Sequence, residues 1–385
     1  HGPNSTLLGG TLRAEVAHLV PTVEAGKAFE YNVLSVTNTA PGEFPVVTFS
    51  VTDPTNADAP YNIHTDAPFV QCAGGASRLF VDIGWNTADY TNAGTGNGPG
   101  QPVQINALNG CGAAPGSVNN GDGTFSVTSP VAVPLTQTGT LVAAVEGHPA
   151  LDADGNGSID RIAVQNAVKY AAITGSVVAR RVDVDIGKCN DCHAQLSLHG
   201  NNRTDSIEAC VICHAPGATD VNRRVAGSAC DTALGLDDAA IDMKVMVHGI
   251  HAGNYSACGF GNQPHDYSAV VYPGRLNNCE GCHINNSFYP VDATKVVGPT
   301  VDAVDPATYT DDVAFSPNLA ACSTCHTTDL AVAHMKQNGG DDFAGKDVNG
   351  RLVSNKIETC SLCHGPGKSS DLRDVHKIDQ FADVN

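Results

Sequence analysis

The sequence is short of aromatic side chains. Phe, Trp and Tyr make up 5% of 385 residues, with a single Trp. A core of ordinary size would need more flat apolar surface than that, so a planar group from outside the chain is expected to supply some of it. Positive charge is also scarce, with 21 Lys and Arg against 40 Asp and Glu, a net charge of −19. That balance excludes a phosphate-backbone binder, which needs the opposite sign, so no nucleic-acid partner is expected. No run approaches 18 apolar residues, so no transmembrane segment is predicted. The chain opens at His1-Gly2-Pro3 with no Met and no signal peptide. Either a targeting segment has been removed or the sequence starts late.

Cysteine is the exception, with 14 residues, ten of them in five Cys-x-x-Cys-His motifs. These are Cys189/Cys192/His193, Cys210/Cys213/His214, Cys279/Cys282/His283, Cys322/Cys325/His326 and Cys360/Cys363/His364. The pattern is the attachment signal for c-type haem. Two thiols add across the vinyl groups, and the adjacent histidine becomes the proximal ligand of the iron. Zinc tetrathiolates also use paired Cys-x-x-Cys units, but they need no histidine after each, and five units cannot pair evenly. Five covalently attached haem c groups, and hence electron transfer, are the expectation.

Cys72, Cys111, Cys230 and Cys258 remain, two in each half of the chain. Covalent haem and an even number of spare thiols both point outside the cytoplasm. Cys72–Cys111 and Cys230–Cys258 disulfides are therefore expected, with four buried free thiols as the alternative. The acidic surface suits solubility first, and basic redox partners or oxide surfaces second.

The text changes character near residue 180. Residues 1–180 read as strands. Val47, Phe49 and Val51 alternate with hydroxyl residues, as do Leu79, Val81, Ile83 and Trp85 with their neighbours, and Phe125 follows the Asp122-Gly123 turn. Thr140–Val145 is an apolar run. The fold class expected is a mainly β domain, a split barrel or sandwich with Greek-key connections. A long loop is expected over 92–120, where Gly, Asn and Pro concentrate. Residues 181–385 hold all five motifs, about forty residues for each, too few for separate cores. There the expectation is a pentahaem domain of short helices and coil, its haems packed on one another. One helix is readable over 239–251, ending at Gly253, and a loop is expected over 297–317. The β half, lacking any motif, is expected to dock and support, so that 181–385 alone would keep five haems.

The sixth position of each iron decides between an electron carrier and an enzyme. Outside the motifs, the second half holds His199, His248, His251, His265, His334 and His376, six candidates for five irons. His199 follows the first motif closely. His248 and His251 share one helix face and can reach two different haems. His334 and His376 follow motifs at loop distance. His265, in a turn-like Pro264-His-Asp-Tyr267 setting, is left out. Three methionines cannot serve five haems. In the first half, His18, His64 and His148 are expected at the surface.

The string Arg180–His193, then Leu196–Arg203, resembles the extracellular outer-membrane decahaem cytochrome family of the OmcA/MtrC type. So do Met243–Gly253, Tyr272–His283 and Ala333–Met335. The resemblance is strong in the second half and loose in the first. It implies two copies of a β domain followed by a five-haem domain, of which this chain has one. It also implies bis-histidine ligation, which falls on His199, His248, His251, His334 and His376. It places the chain outside the cell or on its outer surface, with the periplasm as second choice. It implies other multihaem cytochromes or a porin–cytochrome complex as partners, and ferric minerals, chelates or flavins as acceptors. The chain is then either a fragment of a longer protein or a half that works alone or by self-assembly into a filament.

Asp152-Ala-Asp-Gly-Asn-Gly-Ser-Ile-Asp160 is similar to the start of an EF-hand loop. Calcium would take oxygens from Asp152, Asp154, Asn156, Ser158 and Asp160. The twelfth position, normally a bidentate Glu, is Ala163, and a solvated turn between strands is the competing reading. A multihaem reductase would need an open iron and an altered motif. All five motifs are regular, so an electron conduit is the primary expectation.

Overall fold

In the computed structural model, alternation decides the first half. The structure describes residues 20–72, 76–87, 92, 101–108, 115–291, 300–301, 313–340, 342–344 and 357–381. Helix α1 (Pro21–Gly26) leads into eleven strands: β1 (Glu30–Thr37), β2 (Val46–Asp53), β3 (Ala59–Pro60), β4 (Arg78–Gly84), β5 (Val103–Asn106), β6 (Ser117–Asn119), β7 (Phe125–Thr128), β8 (Thr140–His148), β9 (Ala150–Leu151), β10 (Asp160–Arg161) and β11 (Ala167–Ala172). One antiparallel sheet runs β1–β2–β7–β6 with β3 beside β2, and a second runs β11–β8–β4–β5. The β2–β7 and β4–β8 neighbours are far apart in sequence, as Greek-key connections require. Val47, Phe49, Val51, Leu79, Val81, Ile83, Trp85 and Phe125 interleave in the core between the sheets. The β-rich first half and the antiparallel sheets are as the alternation predicts.

β8 is buried along its whole length. Leu141, Ala143 and Val145 face the sandwich core. Val142 and Ala144 face the other way, into a second cluster with Ala209, Val211, Ile212 and Ala215. A strand covered on both faces reads as a continuous apolar run, and that is the Thr140–Val145 pattern. The second cluster joins the two halves of the chain around the second motif. Cross-links reinforce it: Gly147 N–H donates to the Asn202 carbonyl at 2.9 Å, and Asn92 Nδ2 to the Ile212 carbonyl at 2.7 Å.

The second half contains α2 (Ile186–His193), β12 (Ser197–Leu198), β13 (Arg203–Thr204), α3 (Ile207–Cys213), α4 (Ala229–Leu234), α5 (Met243–His251), β14 (Ser256–Gly259), β15 (Gln263–Asp266), β16 (Thr300–Val301), β17 (Val313–Phe315), α6 (Pro317–Cys322), α7 (Asp329–Gln337), β18 (Asp342–Ala344), α8 (Ser361–His364) and α9 (Leu372–His376). Short helices and coil predominate, as expected. No helix among the described residues is long and apolar enough to cross a membrane.

Four details differ from the sequence reading. Within 92–120, β5 and β6 are strands, held by pairing to β4 and β7; residues 93–100 and 109–114 lie outside the described residues. The helix read over 239–251 starts at Met243, because Ile241 N–H bonds to Ala218 and the Ala239 carbonyl accepts from Asp220. Asp242 then caps it through Lys244 N–H, and Gly253 at φ +64° ends it. Within 297–317, β16 and β17 pair antiparallel. His148 is fully buried rather than at the surface, because its end of β8 is covered on both faces. His18 lies outside the described residues.

Cys230 and Cys258 are joined, with Cα atoms 5.8 Å apart and a sequence separation of 28. Beside them, buried Asp220 accepts from Arg224, from Ala239 N–H at 2.7 Å and from Cys258 N–H. Reducing this bridge in the holoprotein is expected to cost about 2–4 kcal/mol of stability. Denaturant midpoints with and without reductant check this, and identical midpoints would refute it. Cys72 is also in a disulfide. Its expected partner, Cys111, lies outside the described residues.

Candidate haem-attachment sites

Each motif lies in or directly after a short helical element. Asp185 caps α2 through Gly187 N–H at 2.8 Å, and Ser206 caps α3 through Ala209 N–H at 3.2 Å. The third motif occupies a 3-10 turn, Cys279–Gly281. α6 delivers the fourth, its first amides received by the Glu358 carboxylate at 2.9–3.1 Å. A negative charge there answers the helix dipole. In four motifs the histidine N–H bonds back to the first cysteine carbonyl at 2.9–3.0 Å. That turn sets two sulfurs and one imidazole on one side of the chain, the disposition that covalent attachment from one edge of a porphyrin needs.

Every motif histidine faces a second histidine. Ring centroids are 6.2 Å apart for His193 and His251, 6.1 Å for His214 and His199, and 6.1 Å for His283 and His248. They are 6.0 Å apart for His326 and His376, and 6.3 Å for His364 and His334. With about 2 Å for each metal–nitrogen bond and roughly 1 Å from nitrogen to ring centre, two imidazoles sharing one metal should stand about 6 Å apart. The gaps fit an iron between the rings. The five partners are those that histidine counting selects. All five motif histidines being taken, His265, exposed on β15, is left without one.

Hydrogen bonds fix which nitrogen looks into each gap. Nδ1 of His214 bonds the Ile241 carbonyl at 2.8 Å, that of His251 the Val247 carbonyl at 2.8 Å, that of His364 the Ser370 carbonyl at 3.0 Å and that of His376 the Leu372 carbonyl at 3.0 Å. Nδ1 of His283 meets Ser287 Oγ at 3.1 Å, and that hydroxyl donates onward to the Asp183 carbonyl. Each bond leaves Nε2 as the free lone pair, the tautomer a metal wants. Burial, helped by nearby positive groups, holds His199 and His248 down to about 4 and so keeps both rings neutral. Burial also pushes the Cys210 and Cys322 thiols up to about 12.

The family model described as "Outer membrane cytochrome MtrC/MtrF-like, domains II/IV" matches residues 181–377. The chain belongs to that family of outer membrane cytochromes. Its fold is similar to the crystal structure of MtrC from Shewanella baltica OS185, with TM-score 0.54 and 16% identity over 92% of this chain and 54% of that one. The chain thus spans about half the length of that protein. No curated protein matches it.

Within this outer membrane cytochrome chain, the sulfurs give the order of the motifs in space. Cys210 is within electrostatic reach of Cys189. Cys189 and Cys192 are within reach of Cys282, Cys279 of Cys325, and Cys322 of Cys360. The order is second, first, third, fourth, fifth. Backbone contacts agree: Val184 bridges His283, and Asn277 Nδ2 donates to the His376 carbonyl at 2.8 Å. Tyr272 packs edge-on against His251 and Phe288 against His283, at 5.6 and 6.0 Å. These rings went unnoticed in the sequence, where nothing but proximity to the third motif marks them.

The 152–160 segment is a turn between β9 and β10. Carboxylate oxygens of Asp152, Asp154 and Asp160 lie within 4.8 Å of one another. Backbone amides of Ala153, Asn156 and Gly157 already bond to them at 2.8–3.2 Å, and Ser158 N–H bonds to Asn156. The turn is therefore formed by its own chain. Ala163, where a twelfth ligand would stand, is buried.

Proposed function

We propose that residues 181–385 hold five haem c groups in one continuous row, each iron closed by two histidines, and that the chain conducts electrons along it. The five histidine pairs about 6 Å apart carry this reading. Bound haem supplies one-electron storage at iron; two imidazoles on each iron leave no position for a substrate. The residues do the rest. Helix α5 offers His248 to the third haem and His251 to the first, tying those two sites together. The fourth and fifth sites exchange ligands: His334 follows the fourth motif and serves the fifth, and His376 follows the fifth and serves the fourth. With both axial positions taken by histidine, electrons would have to enter and leave at the haem edges. Specificity at an edge is loose, which suits ferric minerals, soluble chelates or flavins, with other multihaem cytochromes or a porin–cytochrome complex as donors at the outer cell surface. Residues 1–180 carry no attachment motif, and β8 packs against α3, which bears the second motif.

The test is spectroscopic. The intact, reduced holoprotein is expected to show five low-spin haems and to bind no carbon monoxide. One equivalent of carbon monoxide bound by unmodified protein would overturn the closed-iron reading and favour a reductase.

A further inference from the structure

The face of the β11–β8–β4–β5 sheet that meets the second motif carries charge where packing alone would place apolar groups. Asp82 on β4 and Glu146 on β8 are 3% and 2% exposed. Across the β4–β8 pair, Asp82 stands opposite Ala144 and Phe80 opposite Glu146, so the two carboxyls are diagonal neighbours on one face. Gln104 stands opposite Asp82 on β5 and donates to Glu146 at 3.1 Å. Arg203, on β13, forms an ion pair with Glu146. Two buried carboxyls therefore share one guanidinium and one amide, and Asp82 Oδ1 has no hydrogen-bond partner. Ionising both would leave one uncompensated charge inside the protein, which is costly.

Burial holds both carboxyls up, Arg203 opposes this, and each carboxyl acts on the other. Tyr31 on β1 lies within electrostatic reach of Glu146, and burial keeps its hydroxyl neutral. His148, two residues along β8, is held down to about 4 by burial, with Arg78 and Arg161 acting in the same direction. Cys210 and Cys213 on α3 carry no proton once linked as thioethers. These cysteines bring the second haem site to the cluster: Arg203 and Glu146 act on both, and Asp82 acts on Cys213. Arg203 acts on His199 and His214 as well.

We propose that the Asp82–Glu146 pair is a proton-binding site coupled to the second haem, so that an electron arriving there draws a proton into the sheet. The proposal rests on the five-haem reading above. One electron, passed from the adjacent first haem, takes the iron from ferric to ferrous. One proton, from bulk water, ends on a carboxylate oxygen of the pair. The charge added at iron is cancelled at the sheet, and reoxidation returns both. A ferric iron favours the doubly ionised pair and a ferrous iron the singly protonated one, because the low dielectric between them magnifies the difference. The β half then sets how the second site responds to pH while conducting nothing itself.

The experiment is a reductive titration of the intact holoprotein across pH, after mass spectrometry has counted five haems. The second haem is identified as the one missing from a Cys210→Ser, Cys213→Ser variant. Its potential is expected to fall as pH rises, by up to about 59 mV per tenfold change in proton concentration. Glu146→Gln leaves Asp82 facing Arg203 with no proton to exchange, and is expected to abolish that slope at the second haem alone. In unmodified protein, the reduced-minus-oxidised infrared spectrum should gain a protonated-carboxyl band that shifts in heavy water. An unchanged slope in Glu146→Gln would place the proton on haem propionates and overturn the proposal, as would the absence of the carboxyl band. Fewer than five haems by mass would instead bring down the reading beneath it.

Discussion

His334→Ala is expected to open the fifth haem, not the fourth, and to make each reduced chain bind one equivalent of carbon monoxide. His334 lies on α7, just after the fourth motif, and adjacency in sequence would assign it there. Its ring instead stands 6.3 Å from His364, while His326 is matched by His376. The substitution removes one axial ligand and no thiol, so five haems should stay attached. The visible spectrum should turn from fully low-spin to one-fifth high-spin. Adding Cys360→Ser and Cys363→Ser should abolish the carbon monoxide binding, because the opened haem is then gone. Persistence of binding in that combined variant would show that His334 serves another iron.

That result turns on a distinction between what the sequence carries and what the fold adds. Attachment is local: two thiols and a histidine on one turn read directly as a motif. The five histidines that stand opposite the motif histidines were legible as candidates too, since supply and demand nearly matched. Their pairing was not, because it depends on how the chain crosses itself. His199, in the loop after the first motif, stands opposite His214 of the second, and α5 carries the partners of both His283 and His193. In the β half, alternation showed β2 and β4, the Asp122-Gly123 turn marked β7, and the apolar run showed β8. β5 and β6 were hidden in Gly- and Asn-rich text, since these short strands are held by their neighbours rather than by their own pattern. Asp82 kept to the alternation and Glu146 lay just past the apolar run, so neither stood out, and only the face of the sheet they share with α3 gives them meaning. His148 looked ordinary because burial of one strand end leaves no local trace.

Removing the third haem is expected to sever the conduit, and removing the second is not. The third motif stands between the first and the fourth, with Cys282 near Cys189 and Cys192, and Cys279 near Cys325. The second stands beyond the first, at the end of the row. A Cys279→Ser, Cys282→Ser variant should therefore keep four haems in two isolated pairs. Tunnelling falls steeply with distance, so equilibration between the first and fifth haems should slow by orders of magnitude. A Cys210→Ser, Cys213→Ser variant also keeps four haems, but its path from first to fifth is intact and the rate should match that of unmodified protein. The measurement is electron equilibration after photoreduction at a sensitiser attached beside the fifth site, with haem count and low-spin spectrum confirming that each variant is folded. His248, left without its iron in the first variant, still rides on the helix that carries His251, so the first site should survive the loss. Equal slowing in the two variants would break the linear order and require a branched arrangement in which the second haem lies on the path.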